Sequence, residues 1–251
     1  MKLARFEYKG VVYTGGIIDE RVVVLDGDIF NPGDETGQSY GVEEVRFLSP
    51  IKPPKIICIG FNYRKHSDEM RAIATKNPTL TLKAPSSIIG DYDDILLPGE
   101  SKQVEHEAEL GIVIGNGGYR ITNPREHILG YTIINDVTAR DLEREMGQWS
   151  AAKSFPTFGP TGTCIETKLD PMDLKIRCWV NDRIRQSDST KHMIYNPLEC
   201  VVFASRFMRL SRGDLIASGT IPGVGLLAEG DSVKIEVEGI GTLRNNVSSG
   251  N

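Results

Sequence analysis

Apolar positions along this chain fall in short runs separated by glycine, proline and acidic residues, a rhythm that predicts many short strands and few helices. In the first fifty residues, runs such as Val22-Val23-Val24-Leu25 sit between Gly and Asp and predict the hairpins of a small β-rich N-terminal section, residues 1–50. Ile51-Lys52-Pro53-Pro54-Lys55 then reads as a linker, and residues 55–251 form the larger part.

In that larger part, Ile56-Ile57-Cys58-Ile59 is an apolar strand ending at Gly60, followed over 64–71 by a polar, helix-compatible stretch that carries His66 and Glu69. Alternation in Val104-Glu105-His106-Glu107-Ala108-Glu109-Leu110 places Glu105, Glu107 and Glu109 on one face of a strand that continues into Gly111-Ile112-Val113-Ile114. Gly130-Tyr131-Thr132-Ile133-Ile134 is a further strand running into Asn135-Asp136, with a helix expected over 138–146. Asn196-Pro197 is a cap followed by a first-turn proline; Leu198, Val201, Val202 and Met208 are spaced for one buried face, and Gly213-Asp214 is the expected stop. Val233-Lys234-Ile235-Glu236-Val237 and Gly241-Thr242-Leu243-Arg244 are the closing strands. Strands outnumber helices with no regular strand-helix alternation, so the expected class is α+β, predominantly β.

Composition narrows the function. At 251 residues and 39% hydrophobic content the chain can bury a substantial core. A net charge of −5 gives no basic field, so nucleic acid is not an expected partner. The opening Met1-Lys2-Leu3-Ala4-Arg5-Phe6-Glu7 lacks the apolar stretch of a signal peptide, and no run of about 18 apolar residues occurs, so a cytoplasmic protein without a membrane partner is expected. Cys58, Cys164, Cys178 and Cys200 are too widely spaced for a CxxC pair and are expected as buried, reduced thiols.

The residues with chemistry to offer are mostly acidic. Glu107 and Glu109 leave one strand face about 7 Å apart at the backbone, and like charges that close need a cation or a proton. Magnesium favours oxygen ligands, and Asp136 at a strand end is the candidate third ligand. The competing reading makes the glutamates a solvated strand edge and Asp136 a helix cap. His66 and Glu69, three apart, meet on a helix or tight turn, where a carboxylate orients an imidazole as a general base. Lys153 lies among small and apolar neighbours and is either solvated or directed into a pocket. Gly219-Thr220-Ile221-Pro222-Gly223-Val224-Gly225 suits close backbone approach to a ligand, or a structural turn. Serine-nucleophile and phosphate-loop motifs are missing.

In order, Gly60-Phe61-Asn62-Tyr63 with His66 and Glu69, Leu82-Lys83-Ala84-Pro85-Ser86-Ser87, Glu107-Ala108-Glu109-Leu110, Asn135-Asp136-Val137-Thr138-Ala139-Arg140-Asp141, Lys153-Ser154-Phe155 and Gly219-Thr220 resemble the fumarylacetoacetate hydrolase family. That resemblance implies a mixed β-sandwich or rolled barrel over 55–251, a homodimer, and Mg²⁺ or Mn²⁺ on Glu107, Glu109 and Asp136. It also implies catalytic roles for His66, Glu69 and Lys153, substrate contacts from Tyr63, Lys83, Arg140, Gln148 and Thr220, and a small 2-oxo acid as substrate. The expected reaction is C–C hydrolysis of an acylpyruvate, or decarboxylation of oxaloacetate, through an enolate. Isomerisation, tautomerisation and sugar-acid dehydration are the alternatives, and a metal-dependent binding protein without turnover is the rival from another class. Phe61 stands where many relatives carry Arg, and Ile221-Pro222 departs from the usual residues after Gly219-Thr220. The segment 64–78 is the expected lid.

Overall fold

The computed structural model describes residues 1–70 and 77–250. Short strands dominate it and the helices are brief, as the spacing of apolar runs predicts. An eleven-stranded sheet contains the N-terminal section as well as the larger part: strand Lys2–Tyr8 pairs with Val11–Ile18 on one side and with Ile165–Glu166 on the other. A five-stranded sheet built around Lys175–Val180 and Ser232–Val237 contributes the facing apolar layer. Neither sheet closes into a barrel. The central strand Ala108–Ile114 is buried on both faces, which its apolar run after Glu109 permits. On one face Leu110, Ile112 and Ile114 pack with Ile176, Cys178, Ile235 and Leu243 in the main core. On the other, Val113 packs with Leu3, Ile56 and Leu215 in a second cluster.

Three expectations about elements change. The strand carrying the glutamates is not continuous: Val104–His106 pairs with Thr138–Ala139 and Gly225–Leu226, whereas Ala108–Ile114 belongs to the large sheet. Glu107 sits at the break. Thr138–Ala139 is thereby drawn into a ladder, so the helix expected over 138–146 starts at Arg140, and a separate helix, Trp149–Lys153, follows it. Helix Pro197–Ser205 has the full capping box, with Asn196 accepting from Glu199 N and Glu199 accepting from Asn196 N. It ends before Met208, because Leu210 pairs with Gly118 instead.

Of the expected lid, helix Arg64–Glu69 is described and residues 71–76 lie outside the described residues. All four cysteines are free and buried, as expected from their spacing. Among the described residues no helix is long and apolar enough to cross a membrane.

Candidate metal centre

The strand break at Glu107 explains how adjacent glutamates reach one point. Glu107 N donates to Asn135 Oδ1 and Asp136 N donates to Glu107 O, so the break is tied to the end of strand Ile128–Asn135. Glu109, one step into the next strand, points to the same side. Ligand-type oxygens of Glu107, Glu109 and Asp136 lie within 4.8 Å of one another, and all three side chains are buried. The solvated-edge reading of these glutamates therefore does not hold. Asp136 is also no helix cap, since the helix starts at Arg140.

Cations surround the cluster unevenly. Lys153 Nζ donates to Glu107 at 2.9 Å, Asp136 at 2.6 Å and Thr138 Oγ1 at 2.8 Å, so the lysine is directed inward rather than solvated. Lys83 Nζ lies 2.6 Å from Asp136 Oδ1 and donates to the carbonyls of Val137 and Phe158. Arg140 serves Glu105, Glu107 and Glu143 together. Glu105, which the solvated-edge reading placed at the surface, is thus buried and belongs to the charge network.

Glu109 is the exception: among the described residues it meets no side-chain cation directly but accepts a 2.7 Å hydrogen bond from Gly219 N. Burial, together with the charges of Asp136 and Glu107, pushes its carboxyl well above the ordinary range. Burial raises Glu107 and Asp136 too, but Lys153 with Arg140 outweighs it for Glu107, and Lys153 with Lys83 for Asp136, so both are held low. Among the described residues, the buried carboxyl groups of Glu105, Glu107, Glu109, Asp136 and Glu143 are paired with only Lys83, Arg140 and Lys153, so with all five ionised two negative charges are left unbalanced. An all-oxygen donor set with that deficit fits a hard divalent cation. Asp136 Oδ1 meets Lys83 Nζ only as an ion pair, without a hydrogen bond of good geometry, and keeps lone-pair capacity for such a cation.

The same pocket is lined by His66, Phe61, Trp149, Arg140, Lys153 and Thr220. His66 Nδ1 is 3.2 Å from Glu69 Oε2, and Glu69 in turn accepts from Gly223 N, so the glycine-rich segment aligns the carboxylate that aligns the imidazole. With Nδ1 on Glu69, Nε2 is the nitrogen left for a ligand. Phe61 meets Trp149 edge to face, centroids 5.2 Å apart, and its backbone holds φ of 58°.

Not every expected contact residue reaches this pocket. Among the described residues, Tyr63 is buried in the core with its hydroxyl unpartnered, Lys83 lies behind Asp136, and Gln148 is exposed before helix Trp149–Lys153. Conversely, Glu143 and Trp149 line the pocket without having been singled out in the sequence. The Arg140 to Glu143 spacing of three was the available signal for the first. Trp149 gave none.

Residues 55–248 match the family described as fumarylacetoacetate (FAA) hydrolase C-terminal, and residues 1–50 match one described as Rv2993c-like, N-terminal. The chain belongs to the fumarylacetoacetate hydrolase family. Within that family, the mitochondrial oxaloacetate tautomerase Fahd2a of Rattus norvegicus is 41% identical over 218 residues, which is 81% of this chain and 70% of the tautomerase. The crystal structure of 5-carboxymethyl-2-hydroxymuconate delta-isomerase from Mycobacterium smegmatis superposes with a TM-score of 0.91 at 39% identity, covering 100% of both chains. Maleylpyruvate hydrolase from Sphingobium sp. SYK-6, in complex with manganese(II) and pyruvate, gives a TM-score of 0.84 at 27% identity, again over 100% of both. Family relatives of this chain are thus enzymes, with tautomerase, isomerase and hydrolase activities among them.

Proposed function

We propose that this family member is a divalent-cation-dependent enzyme that enolises a small 2-oxo acid, with oxaloacetate as substrate. The observation that carries the reading is the convergence of Glu107, Glu109 and Asp136, which when ionised leave an excess of negative charge, in one pocket with His66, whose Nδ1 meets Glu69 behind it. Oxaloacetate is favoured by the 41% identity to the rat tautomerase. When held by the three carboxylates, Mg²⁺, or Mn²⁺ in its place, supplies the Lewis acidity that favours negative charge on the 2-oxo oxygen.

The chain's own residues do the rest. His66 Nε2 takes the proton from C3; the C3–H electrons become the C2=C3 bond, and the carbonyl electrons move to the oxygen. Glu69 steadies the imidazolium that forms, and His66 then returns the proton to that oxygen, completing the enol. Lys153 and Arg140 hold Glu107 and Asp136 ionised as cation ligands throughout. Phe61 and Trp149 shield one wall of the pocket from water.

A second reading, hydrolysis of an acylpyruvate, is favoured by that aromatic wall, which suits an apolar acyl group. There His66 deprotonates a water, the hydroxide adds to the distal carbonyl, and the C3–C4 bond breaks to leave the pyruvate enolate and a carboxylic acid.

One set of assays separates these readings: decay of the oxaloacetate enol absorbance, and pyruvate release from oxaloacetate and from acetylpyruvate, each with Mg²⁺ and with EDTA. Mg²⁺-dependent enol interconversion without pyruvate supports the tautomerase. Pyruvate from acetylpyruvate makes it a hydrolase, pyruvate from oxaloacetate alone a decarboxylase, and no cation-dependent change in any assay refutes the proposal. His66→Ala is expected to keep Mg²⁺ affinity while losing turnover by roughly a hundredfold.

A further inference from the structure

Gln186 lies outside the pocket and takes no part in the chemistry above, yet it is fully buried and all four hydrogen-bonding positions of its amide are used. Its Oε1 accepts from Ala108 N at 3.0 Å and from His106 Nδ1 at 3.0 Å. Its Nε2 donates to Thr220 Oγ1 at 2.9 Å and to Ile221 O at 2.6 Å. A flipped amide would set a donor against Ala108 N–H and an acceptor against Ile221 O, so the backbone fixes its orientation.

A bulge aims the side chain inward. Along strand Arg183–Ser189, Gln186 pairs with Cys178 but Ile184 pairs with Trp179, so Arg185 is the extra residue and Gln186 turns to the core after three exposed positions. The glycine-rich segment packs directly on this bulge, where a Cβ on Gly223 would lie 2.1 Å from Arg185 O.

We infer that Gln186 is the positioning residue of this site, acting through two separate contacts. Its carbonyl oxygen grips His106 and Ala108, the residues on either side of Glu107, and so sets the strand break that turns Glu107 toward the other two carboxylates. One amide hydrogen goes to the Thr220 hydroxyl and the other to Ile221 O; the hydroxyl, accepting from Gln186, directs its own hydrogen to a backbone carbonyl, Ala108 O at 3.1 Å or Ile221 O at 3.4 Å. Toward a ligand, Thr220 is then left with a lone pair and no hydrogen. It therefore suits a ligand atom that bears hydrogen, such as an enol hydroxyl or a bound water, rather than a carboxylate oxygen.

The turnover part of this inference rests on the proposed enolising function, whereas its cation part does not, and the test keeps them apart. Mn²⁺ affinity is measured by calorimetry, and kcat and KM with oxaloacetate, for wild type, Gln186→Met, Gln186→Glu, Thr220→Val and the Gln186→Met/Thr220→Val double variant. Gln186→Met is expected to weaken Mn²⁺ binding about tenfold or more, as loss of a residue orienting a ligand does, and to lower kcat by about tenfold. Thr220→Val should lower kcat similarly with Mn²⁺ affinity within about twofold of wild type, and adding it to Gln186→Met should cost less than about twofold more.

Gln186→Glu keeps an acceptor for Ala108 N but loses both donors; it should hold Mn²⁺ affinity and lose kcat, and it serves if the methionine variant does not fold. Wild-type Mn²⁺ affinity in Gln186→Met, or kcat losses that simply multiply in the double variant, would overturn the inference. Wild-type protein that binds Mn²⁺ but turns over nothing would refute the proposed function and leave the Mn²⁺ comparison to decide the role of Gln186.

Discussion

Glu109 offers the sharpest test of the cation site, because the same carboxylate should weaken the cation-free protein and strengthen the loaded one. Its carboxyl is buried, repelled by Asp136 and Glu107, and raised well above the reference value of 4.5. The sign follows from linkage. A carboxyl raised in the folded state adds no penalty at pH values below its unfolded pKa; the penalty grows as pH rises from the unfolded value to the folded one and is constant above it. At pH 7 that penalty cannot exceed the free energy of protonating a group of reference pKa 4.5, about 3.4 kcal/mol. Glu109→Gln removes it, retains an oxygen for Gly219 N, and so should stabilise the cation-free protein by roughly 1–3 kcal/mol.

For a chain of this length, 2 kcal/mol corresponds to a rise in Tm of about 4–8 °C. The wild type should gain about 2.7 kcal/mol from Mg²⁺ at a hundred times its Kd, whereas the variant should gain little. Differential scanning calorimetry at pH 7.5, with EDTA and with Mg²⁺, reads both numbers. The variant should melt above wild type in EDTA and lose that lead in Mg²⁺, and at pH 4 the EDTA difference should vanish. A variant that melts below wild type in EDTA, or gains as much from Mg²⁺, would refute the charge argument.

Lys153→Met should have the opposite sign in EDTA, since it leaves Glu107 and Asp136 short of their shared cation; a loss of about 3–5 kcal/mol, partly recovered by Mn²⁺, is expected in the same melts. Gly219→Ala combines φ of 101° with a Cβ only 2.6 Å from Asn62 Cβ. It should lower Tm and weaken Mg²⁺ binding by displacing the N–H on Glu109, and wild-type values of both would count against that role. Asp91, far from the site, is buried and raised to about 6 mainly by that burial, partly offset by its bond from Arg244 N. Its destabilising effect is small near pH 4, builds between about pH 4 and 6, and levels off at about 3 kcal/mol by pH 8; Asp91→Asn should therefore raise Tm clearly at pH 8 and little at pH 4.

By itself the sequence determined the strand-rich class, the short apolar runs that become strands, and the residue types of the site. Spacing placed His66 three residues from Glu69 on one helical turn, and that contact forms, because neighbours at that distance meet on any helix. Asn196-Pro197 likewise marked the helix start, since capping is a local matter. The strand break at Glu107 was not legible. Alternation implies one continuous strand, and only pairing with Thr138–Ala139 and Gly225–Leu226, more than thirty and a hundred residues away in the chain, divides it.

The same non-local pairing decided where charge resides. Nothing in the local spacing distinguishes Glu105, neutralised by Arg140, from Glu109, which meets a backbone N–H, because each outcome depends on which distant segment the side chain faces. Gln186 is the extreme case: a glutamine in a polar stretch, turned inward by a single-residue bulge onto Ala108 and Thr220. Residue identities and local periodicity supplied the candidate ligands and the candidate base; the packing of sheets and loops, which fixes side-chain direction across long sequence separations, brought them into one pocket.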